Sequence, residues 1–274
     1  MVRLIWGCDI SDYPSPPGPV SPPGTALVSG AAGGIGRAVT AVLLRAGYAV
    51  GALDTTAAGL DSLVADQAPT DRDRVLPLVA DVRQRAEVDA SIEKLVATFG
   101  EPTAVVLGAG VIRPGQLPEI STTDWQWHLD VNATGTFHLL QAVAPLLTTG
   151  SSVVLIGSNA ASVPRFGMGA YAASKAAAEA LVRCAALEFA ASGVRCNIVE
   201  PGSTDTKMQR DLWPDPVVGQ AAAIDGDPAT YRLGIPLGRI ADPADVAELV
   251  AFLLSDRARQ MTLQTVRVDG GASL

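Results

Sequence analysis

The chain has 274 residues, 48% of them hydrophobic and 18% charged, so it is long enough to bury a large core within one domain. A net charge of −8 at pH 7 and a pI near 4.7 disfavour nucleic acid and anionic membrane surfaces as partners. The mean hydropathy is +0.28, but no apolar run reaches the roughly 20 residues that span a bilayer, because Gly, Pro, Arg or Asp interrupts each one.

The numbers and spacing of the cysteines and histidines argue against further functional classes of protein. Three cysteines without a C-x-x-C spacing predict neither a disulfide framework nor a zinc site, and they are typical of a cytoplasmic protein. Only two histidines are present, which disfavours a metal centre or a Ser-His-Asp hydrolase. We therefore predict no metal site.

Residues 1–24 hold six prolines among glycines and serines and show no periodic apolar pattern. They are predicted to form a flexible tail before a single domain of residues 25–274. The apolar run Leu4–Trp6 is too short for the core of a secretory signal peptide.

The domain begins with a strand, a Gly-rich turn and a helix. Residues 26–28 form a short apolar run, and residues 37–46 have a helical pattern. Glycines in the intervening turn let the backbone approach a pyrophosphate, whose charge the N-terminal amides of the helix can meet. The residues predicted to bind a dinucleotide here are Gly30, Gly34, Ile35 and Gly36.

The next strand carries an acid at its end. Tyr48–Leu53 is followed by Asp54, eighteen residues beyond Gly36. A carboxylate at this place binds the adenosine ribose diol and repels the 2′-phosphate of NADP. Asp54 therefore predicts NAD as the cofactor, although Asp after a strand is also common as a turn residue or helix cap.

Strands and helices alternate along the rest of the chain. Helical patterns include residues 88–99, whose apolar side chains fall on one face. Such alternation indicates one α/β domain, a doubly wound (Rossmann) parallel sheet with helices on both faces. The further strands are predicted at residues 74–80, 104–107, 152–156, 195–199 and 264–268.

The chemistry is predicted from Tyr171, Lys175 and Ser158. Tyr171 and Lys175 are one helical turn apart, and Ser158 lies thirteen positions before the tyrosine. A Lys ammonium, together with an oxidised nicotinamide ring, favours the phenolate, so Tyr171 is expected to accept an alcohol proton near neutral pH. The hydroxyl of Ser158 is expected to hold the same substrate oxygen.

Together these features resemble the short-chain dehydrogenase/reductase family over about residues 25–274. The resemblance implies that Asp81 and Val82 hold the adenine ring, and that Asn132 supports a water-mediated proton relay to Lys175. It also includes the C-terminal sequence of residues 268–271. The cofactor-binding residues that it adds are Asp81, Val82, Gly110, Tyr171, Lys175, Pro201, Gly202 and Thr204.

The chain departs from the family pattern at two positions. Ser29 replaces the usual Thr of the Gly-rich turn and keeps a hydroxyl for a local hydrogen bond. Leu107 replaces an Asn that normally stabilises the central strand. Its absence is expected to cost a buried hydrogen bond, roughly 1 kcal/mol, without affecting chemistry.

Several stretches resemble the members of this family that oxidise 2,3-dihydro-2,3-dihydroxybenzoate. They are residues 158–161, 164–168, 195–197, 201–213 and 233–238. The resemblance implies NAD-dependent oxidation of trans-2,3-dihydro-2,3-dihydroxybenzoate to 2,3-dihydroxybenzoate in siderophore biosynthesis. A small anionic substrate needs a cationic partner, for which Arg113 and Arg165 are favoured. The predicted substrate-binding residues are Arg113, Ser158, Arg165, Met168, Met208 and Arg210.

Three alternatives remain open at this stage. The same residues fit oxidation of trans-2,3-dihydro-3-hydroxyanthranilate in an antibiotic pathway, reduction of carrier-bound ketones, or a non-catalytic dinucleotide-binding scaffold. Residues 204–235 are predicted to be a lid over the substrate. Small residues after Lys175, at 176–178 and 185–186, allow close helix packing between subunits, and the resemblance implies a homotetramer.

Overall fold

The computed structural model describes residues 24–273, so the predicted flexible tail lies outside the described residues apart from Gly24. This part of the chain contains seven strands, which are all parallel to their neighbours in the order β3-β2-β1-β4-β5-β6-β7. The seven predicted strands are confirmed, each within two residues of its bounds. They are β1 Thr25–Ser29, β2 Ala49–Asp54, β3 Val75–Val79, β4 Pro102–Leu107, β5 Ser152–Ile156, β6 Arg195–Pro201 and β7 Thr265–Val268.

Helices cover both faces of the sheet, as predicted. Apolar side chains of α1, α2 and α9 pack on one face, and those of α3, α5 and α6 pack on the other. No helix of the described residues has the length and apolarity of a membrane span. The helices are α1 Gly34–Arg45, α2 Ala57–Ala65, α3 Arg85–Phe99, α4 Thr122–His128, α5 Gly135–Val143, α6 Gly169–Ala190, α7 Lys207–Arg210, α8 Pro216–Asp225 and α9 Pro243–Leu254.

The central strands are buried on both faces, which explains their continuous apolar sequence. Every residue of β1, β5 and β6 is buried. The strand order reverses between β1 and β4, and the chain leaves these neighbouring strands toward opposite sides. A crevice therefore forms at the carboxyl edge of the sheet, where doubly wound folds bind their ligands.

The alanines of α6 form only part of the expected surface. Ala178, Ala185 and Ala186 are buried in the core of their own chain, whereas Ala177 is exposed and Ala176 is half-buried. The three buried alanines let α6 approach the sheet closely, and the subunit contact stays a prediction. The large apolar side chains that α5 and α6 expose are Phe137 at 43% and Leu187 at 67%.

Candidate active site

A cavity of about 1180 Å³ lies at the carboxyl edge of the sheet. The Gly-rich turn lines one part of it, Ser158, Tyr171 and Lys175 line another, and residues 201–213 and 230–232 complete its wall. The fold therefore brings the predicted dinucleotide-binding turn and the predicted catalytic side chains into one cavity. Most of the sequence-predicted site residues line it. The exceptions are Asp54, Asp81, Val82 and Asn132.

The Gly-rich turn has the geometry that a pyrophosphate requires. Gly30 has a φ of +67°, and a Cβ on Gly36 would overlap the carbonyl oxygen of Gly30. Helix α1 begins after Gly33 without a side-chain cap, so no side chain of the described residues accepts a hydrogen bond from its first amides. Because the residues of this first turn line the cavity, the turn fits a dinucleotide.

Asp54 lies beside this turn, at the end of β2. Its Oδ2 accepts a hydrogen bond from the amide of Ala32 at 3.0 Å, and its Oδ1 accepts from the amide and hydroxyl of Thr56 at 3.2 and 2.9 Å. The carboxylate is thus fixed next to the Gly-rich turn, where the sequence predicted it.

The residues expected around the adenine ring do not reach the cavity lining. Asp81 forms an ion pair with Arg83 at 2.6 Å, which holds the pKa of its carboxyl below its usual range. Val82 is 4% exposed and packs directly against the backbone of Gly135, where a Cβ would overlap it. The amide of Asp81 donates to Glu87 Oε2 at 2.8 Å, and the carbonyl of Val82 pairs with His138 Nδ1 at 2.9 Å. The cofactor role of both residues stays a prediction.

The two departures from the family pattern are structurally accommodated. The hydroxyl of Ser29 donates to the carbonyl of Val106 at 3.3 Å and accepts from the amides of Gly108 and Ala109 at 3.0 and 3.3 Å. It therefore ties β1 to the end of β4. Leu107 is 2% exposed within the apolar core, so packing replaces the polar contact that was expected to be lost.

Asn132 is directed inward by a π-helical turn, Leu129–Thr134, between α4 and α5. Its Oδ1 accepts from the amide of Val111 at 2.8 Å, and its Nδ2 donates to the hydroxyl of Ser174 on α6 at 2.8 Å. A Cβ on Gly110 would lie 3.1 Å from Lys175 Nζ and 3.3 Å from Asn132 Oδ1. Gly110 therefore leaves room for both polar groups, and Asn132 lies next to Lys175 as expected.

Burial controls the protonation of the predicted catalytic side chains. Lys175 is 5% exposed, its Nζ donates to the carbonyl of Ile156 at 2.9 Å, and burial lowers its pKa to about 8. Burial also raises the pKa of Tyr171, although a hydrogen bond from Ser158 opposes that change. The described residues thus do not produce the predicted lowering of the phenol's pKa, because the desolvation cost of the phenolate outweighs their favourable contacts. The positive charge of an oxidised nicotinamide would have to supply the rest.

The three arginines predicted to bind substrate all line the cavity, but they differ in their partners. Arg113 forms an ion pair with Asp124 and lies 4.9 Å from the ring of Trp127, and Arg210 forms an ion pair with Asp205. Arg165 is half-buried and donates to the hydroxyl of Ser273 at 3.4 Å. Met168 and Met208 line the same cavity, as predicted.

Arg232 is a cavity residue that the sequence did not single out. Its Nη2 donates to the hydroxyl of Ser203 at 2.9 Å, and burial, then the charge of Arg165, lower its pKa. Within residues 24–273, neither Arg165 nor Arg232 forms an ion pair. The sequence before Arg232 has no regular hydrophobic pattern. Only the tertiary structure shows that Arg232 lies near Arg165.

Residues 204–235 form part of the cavity wall and are partly helical. They contain α7 and α8, and Gly219 of α8 packs directly against the ring of Trp213. The predicted lid therefore lies beside the substrate cavity, and its closure remains a prediction.

A seven-stranded parallel sheet with a Gly-rich turn and a Tyr-x-x-x-Lys helix at one cavity defines a nicotinamide-dependent oxidoreductase. Residues 30–273 match a family model described as enoyl-(acyl carrier protein) reductase. The chain belongs to the short-chain dehydrogenase/reductase family, as its sequence predicted.

Two curated relatives and one solved structure specify the similarity. The chain is 40% identical to 2,3-dihydro-2,3-dihydroxybenzoate dehydrogenase from Bacillus subtilis, over 91% of this chain and 95% of the relative. It is 42% identical to the vibriobactin-specific 2,3-dihydro-2,3-dihydroxybenzoate dehydrogenase from Vibrio cholerae, over 90% and 95%. A short-chain dehydrogenase/reductase from Brucella melitensis matches with a TM-score of 0.83 and 28% identity, over 92% of this chain and 97% of that structure.

Proposed function

We propose that the chain oxidises trans-2,3-dihydro-2,3-dihydroxybenzoate to 2,3-dihydroxybenzoate with NAD, supplying a catechol for siderophore biosynthesis. The observation that carries the proposal is the pair Arg165 and Arg232, two half-buried guanidiniums in the cavity that also holds Tyr171. Cations without a carboxylate partner in the described residues suit a substrate that brings its own carboxylate. The names of the relatives at 40 and 42% identity support the same substrate.

The side chains around the cavity fit alcohol oxidation. Tyr171 accepts the proton of the C3 hydroxyl, and Ser158 donates a hydrogen bond to the same oxygen. Lys175 supplies positive charge and binds the nicotinamide ribose, while Asn132 holds the backbone beside it. An oxidised nicotinamide bound in this cavity would supply the acceptor for the hydride from C3. The ketone then tautomerises to the aromatic catechol, which makes the oxidation direction strongly favoured.

The overall proposal is tested by NADH formation from purified protein, NAD and trans-2,3-dihydro-2,3-dihydroxybenzoate. We expect rapid turnover with this substrate, and slower turnover with trans-2,3-dihydro-3-hydroxyanthranilate. Faster turnover of the anthranilate would leave the roles of the site residues unchanged and would assign the amino compound as the substrate. Activity with a carrier-bound ketone alone would overturn the proposal, as would binding of NAD without turnover of any of the three.

NAD is inferred over NADP from the surroundings of Asp54. Arg37, the nearest cation on α1, is already engaged by Asp66 at 2.9 Å and by the carbonyls of Ala32 and Gly59. It is therefore not free to bind a 2′-phosphate, which the carboxylate of Asp54 would repel.

We expect kcat/KM to be at least about 100-fold higher with NAD than with NADP, because juxtaposed like charges cost several kcal/mol. Asp54→Asn should reduce that ratio about tenfold, chiefly through the KM for NADP. Steady-state kinetics with both cofactors measure it. Asp61→Asn, on the exposed side of α2, is the matched control. An unchanged ratio in Asp54→Asn would remove Asp54 from cofactor selection.

We also propose that the protein acts in the cytoplasm as a homotetramer. Support for association comes from the exposed Phe137 on α5 and Leu187 on α6, since large apolar side chains at a surface favour burial against another subunit. Light scattering coupled to size-exclusion chromatography measures the mass, and a monomer would overturn the proposed assembly.

A further inference from the structure

Two glutamates are buried behind the catalytic serine. Glu179 of α6 is 1% exposed and Glu200 of β6 is fully buried, although neither lines the cavity. Glu179 continues the spacing of four that joins Tyr171 to Lys175, and Arg183 extends it by one more turn. Carboxylates are rarely buried to this degree unless they are paired, so these two require an explanation.

Glu179 contacts the peptide that carries the catalytic hydroxyl. Its Oε1 accepts a hydrogen bond from the amide of Ser158 at 3.4 Å, and its Oε2 accepts from Arg183 Nη2 at 2.9 Å. Gly157 leaves the space for this carboxylate, because a Cβ there would overlap Oε1. The position of Ser158 thus depends on Glu179.

Glu200 has one satisfied and one unsatisfied oxygen. Its Oε2 accepts from the hydroxyl of Ser162 at 3.0 Å and from Arg267 Nε at 2.9 Å. Its Oε1 is buried without a hydrogen-bond partner among the described residues. A buried charged oxygen in this state is costly unless a proton is held nearby.

The charges around Glu179 favour its neutral form. Burial raises its pKa to about 7, and the charge of Glu200 is the next cause, while the amide of Ser158 and the guanidinium of Arg183 oppose the rise. On the same helix, Glu179 faces Lys175 and Tyr171, whose pKa values its charge raises. From β7, Arg267 pairs with Glu200.

We propose that Glu179 is a positioning residue for the oxidation. Its carboxyl group fixes the amide of Ser158, and its charge sets the protonation of Lys175 and Tyr171. The inference deepens the proposed function, because it depends on the catalytic roles given there. The sign follows from electrostatics: an ionised Glu179 disfavours the Tyr171 phenolate, and a neutral one removes that penalty.

The test is the pH dependence of kcat/KM for the wild type, Glu179→Gln and Glu200→Gln. We expect Glu179→Gln to shift the ascending limb, which reports phenolate formation, to lower pH by up to about one unit. Glu200→Gln removes the like charge, keeps Glu179 ionised, and shifts the limb in the opposite direction. Glu188→Gln, an exposed glutamate on the same helix, should leave the profile unchanged.

Shifts of the ascending limb in opposite directions in Glu179→Gln and Glu200→Gln would show an effect of charge. Support of the fold alone would not move the limb. A fall in kcat/KM with an unmoved limb in Glu179→Gln would overturn the role of its charge. Shifts of the limb in the same direction in both variants would show that Glu200 does not act through Glu179. Thermal unfolding identifies a variant that does not fold.

A substrate-free measurement keeps this inference separate from the proposed function. The infrared band of a protonated buried carboxyl group should be present in the wild type at pH 7 and lost in Glu179→Gln. Absence of that band from the wild type would overturn the protonation of Glu179 whatever the substrate proves to be. Its presence without turnover of the dihydrodiol would instead count only against the proposed function.

Discussion

Replacing Tyr171 with phenylalanine is expected to lower kcat for the dihydrodiol by about 100- to 10,000-fold, the usual contribution of a positioned general base. The change removes one oxygen atom from a partly buried ring, so the cavity and the Gly-rich turn should keep their geometry. NAD affinity and the melting temperature are therefore expected to stay close to those of the wild type. Steady-state NADH formation and titration of the protein with NAD measure the two effects separately.

Tyr48→Phe provides the matched control for this prediction. Tyr48 is also partly buried, but it lies just before β2, away from the cavity. Its loss of a hydroxyl should leave kcat unchanged. If Tyr171→Phe retained kcat within tenfold of the wild type, the proton acceptor would be another group, and Tyr231 at the cavity wall would be tested next.

Removing either half-buried guanidinium is expected to raise the KM for the carboxylate substrate. Arg165→Gln and Arg232→Gln should each do so by about 10- to 100-fold, the value of a hydrogen bond to a charged group in a partly buried site. A dihydrodiol without the carboxylate should bind weakly to the wild type and show no further loss in either variant. The comparison between the two substrates measures the contact with the carboxylate itself.

Two other arginines provide comparison variants for this prediction. Arg113→Gln should have a smaller effect, since Asp124 already neutralises Arg113. Arg45→Gln removes a surface ion pair with Glu248 and should leave the KM unchanged. Equal losses with the carboxylate and carboxylate-free substrates in Arg165→Gln and Arg232→Gln would show that the pair shapes the cavity without binding the carboxylate.

The fold could be predicted because its signals are local. Apolar runs bounded by Gly or Asp gave seven strands, and their separation by helical patterns implied parallel pairing. The turn after β1 and the Tyr-x-x-x-Lys spacing likewise lie within single segments. A few neighbouring residues define each of these features, so each feature could be recognised without knowing the rest of the molecule.

The surroundings of the site depended on distant parts of the chain. Arg113 and Arg165 were favoured equally, yet Asp124 engages one of them and leaves the other half-buried beside Arg232. Five alanines of α6 suggested a subunit contact, but the core of the same chain covers three of them, Ala178, Ala185 and Ala186. In both cases a partner that is remote in sequence decided which surface a side chain meets.

The sequence by itself predicted the sheet, the family, the Gly-rich turn and the candidate catalytic side chains. Tertiary structure decided their electrostatics, because desolvation and charge depend on every element that packs around a group. Burial raises the pKa of Tyr171 where the local pattern predicted a lower one. Packing of β6 against α6 also places Glu200 near Glu179, twenty-one residues earlier in the chain, and no local pattern specifies that pair.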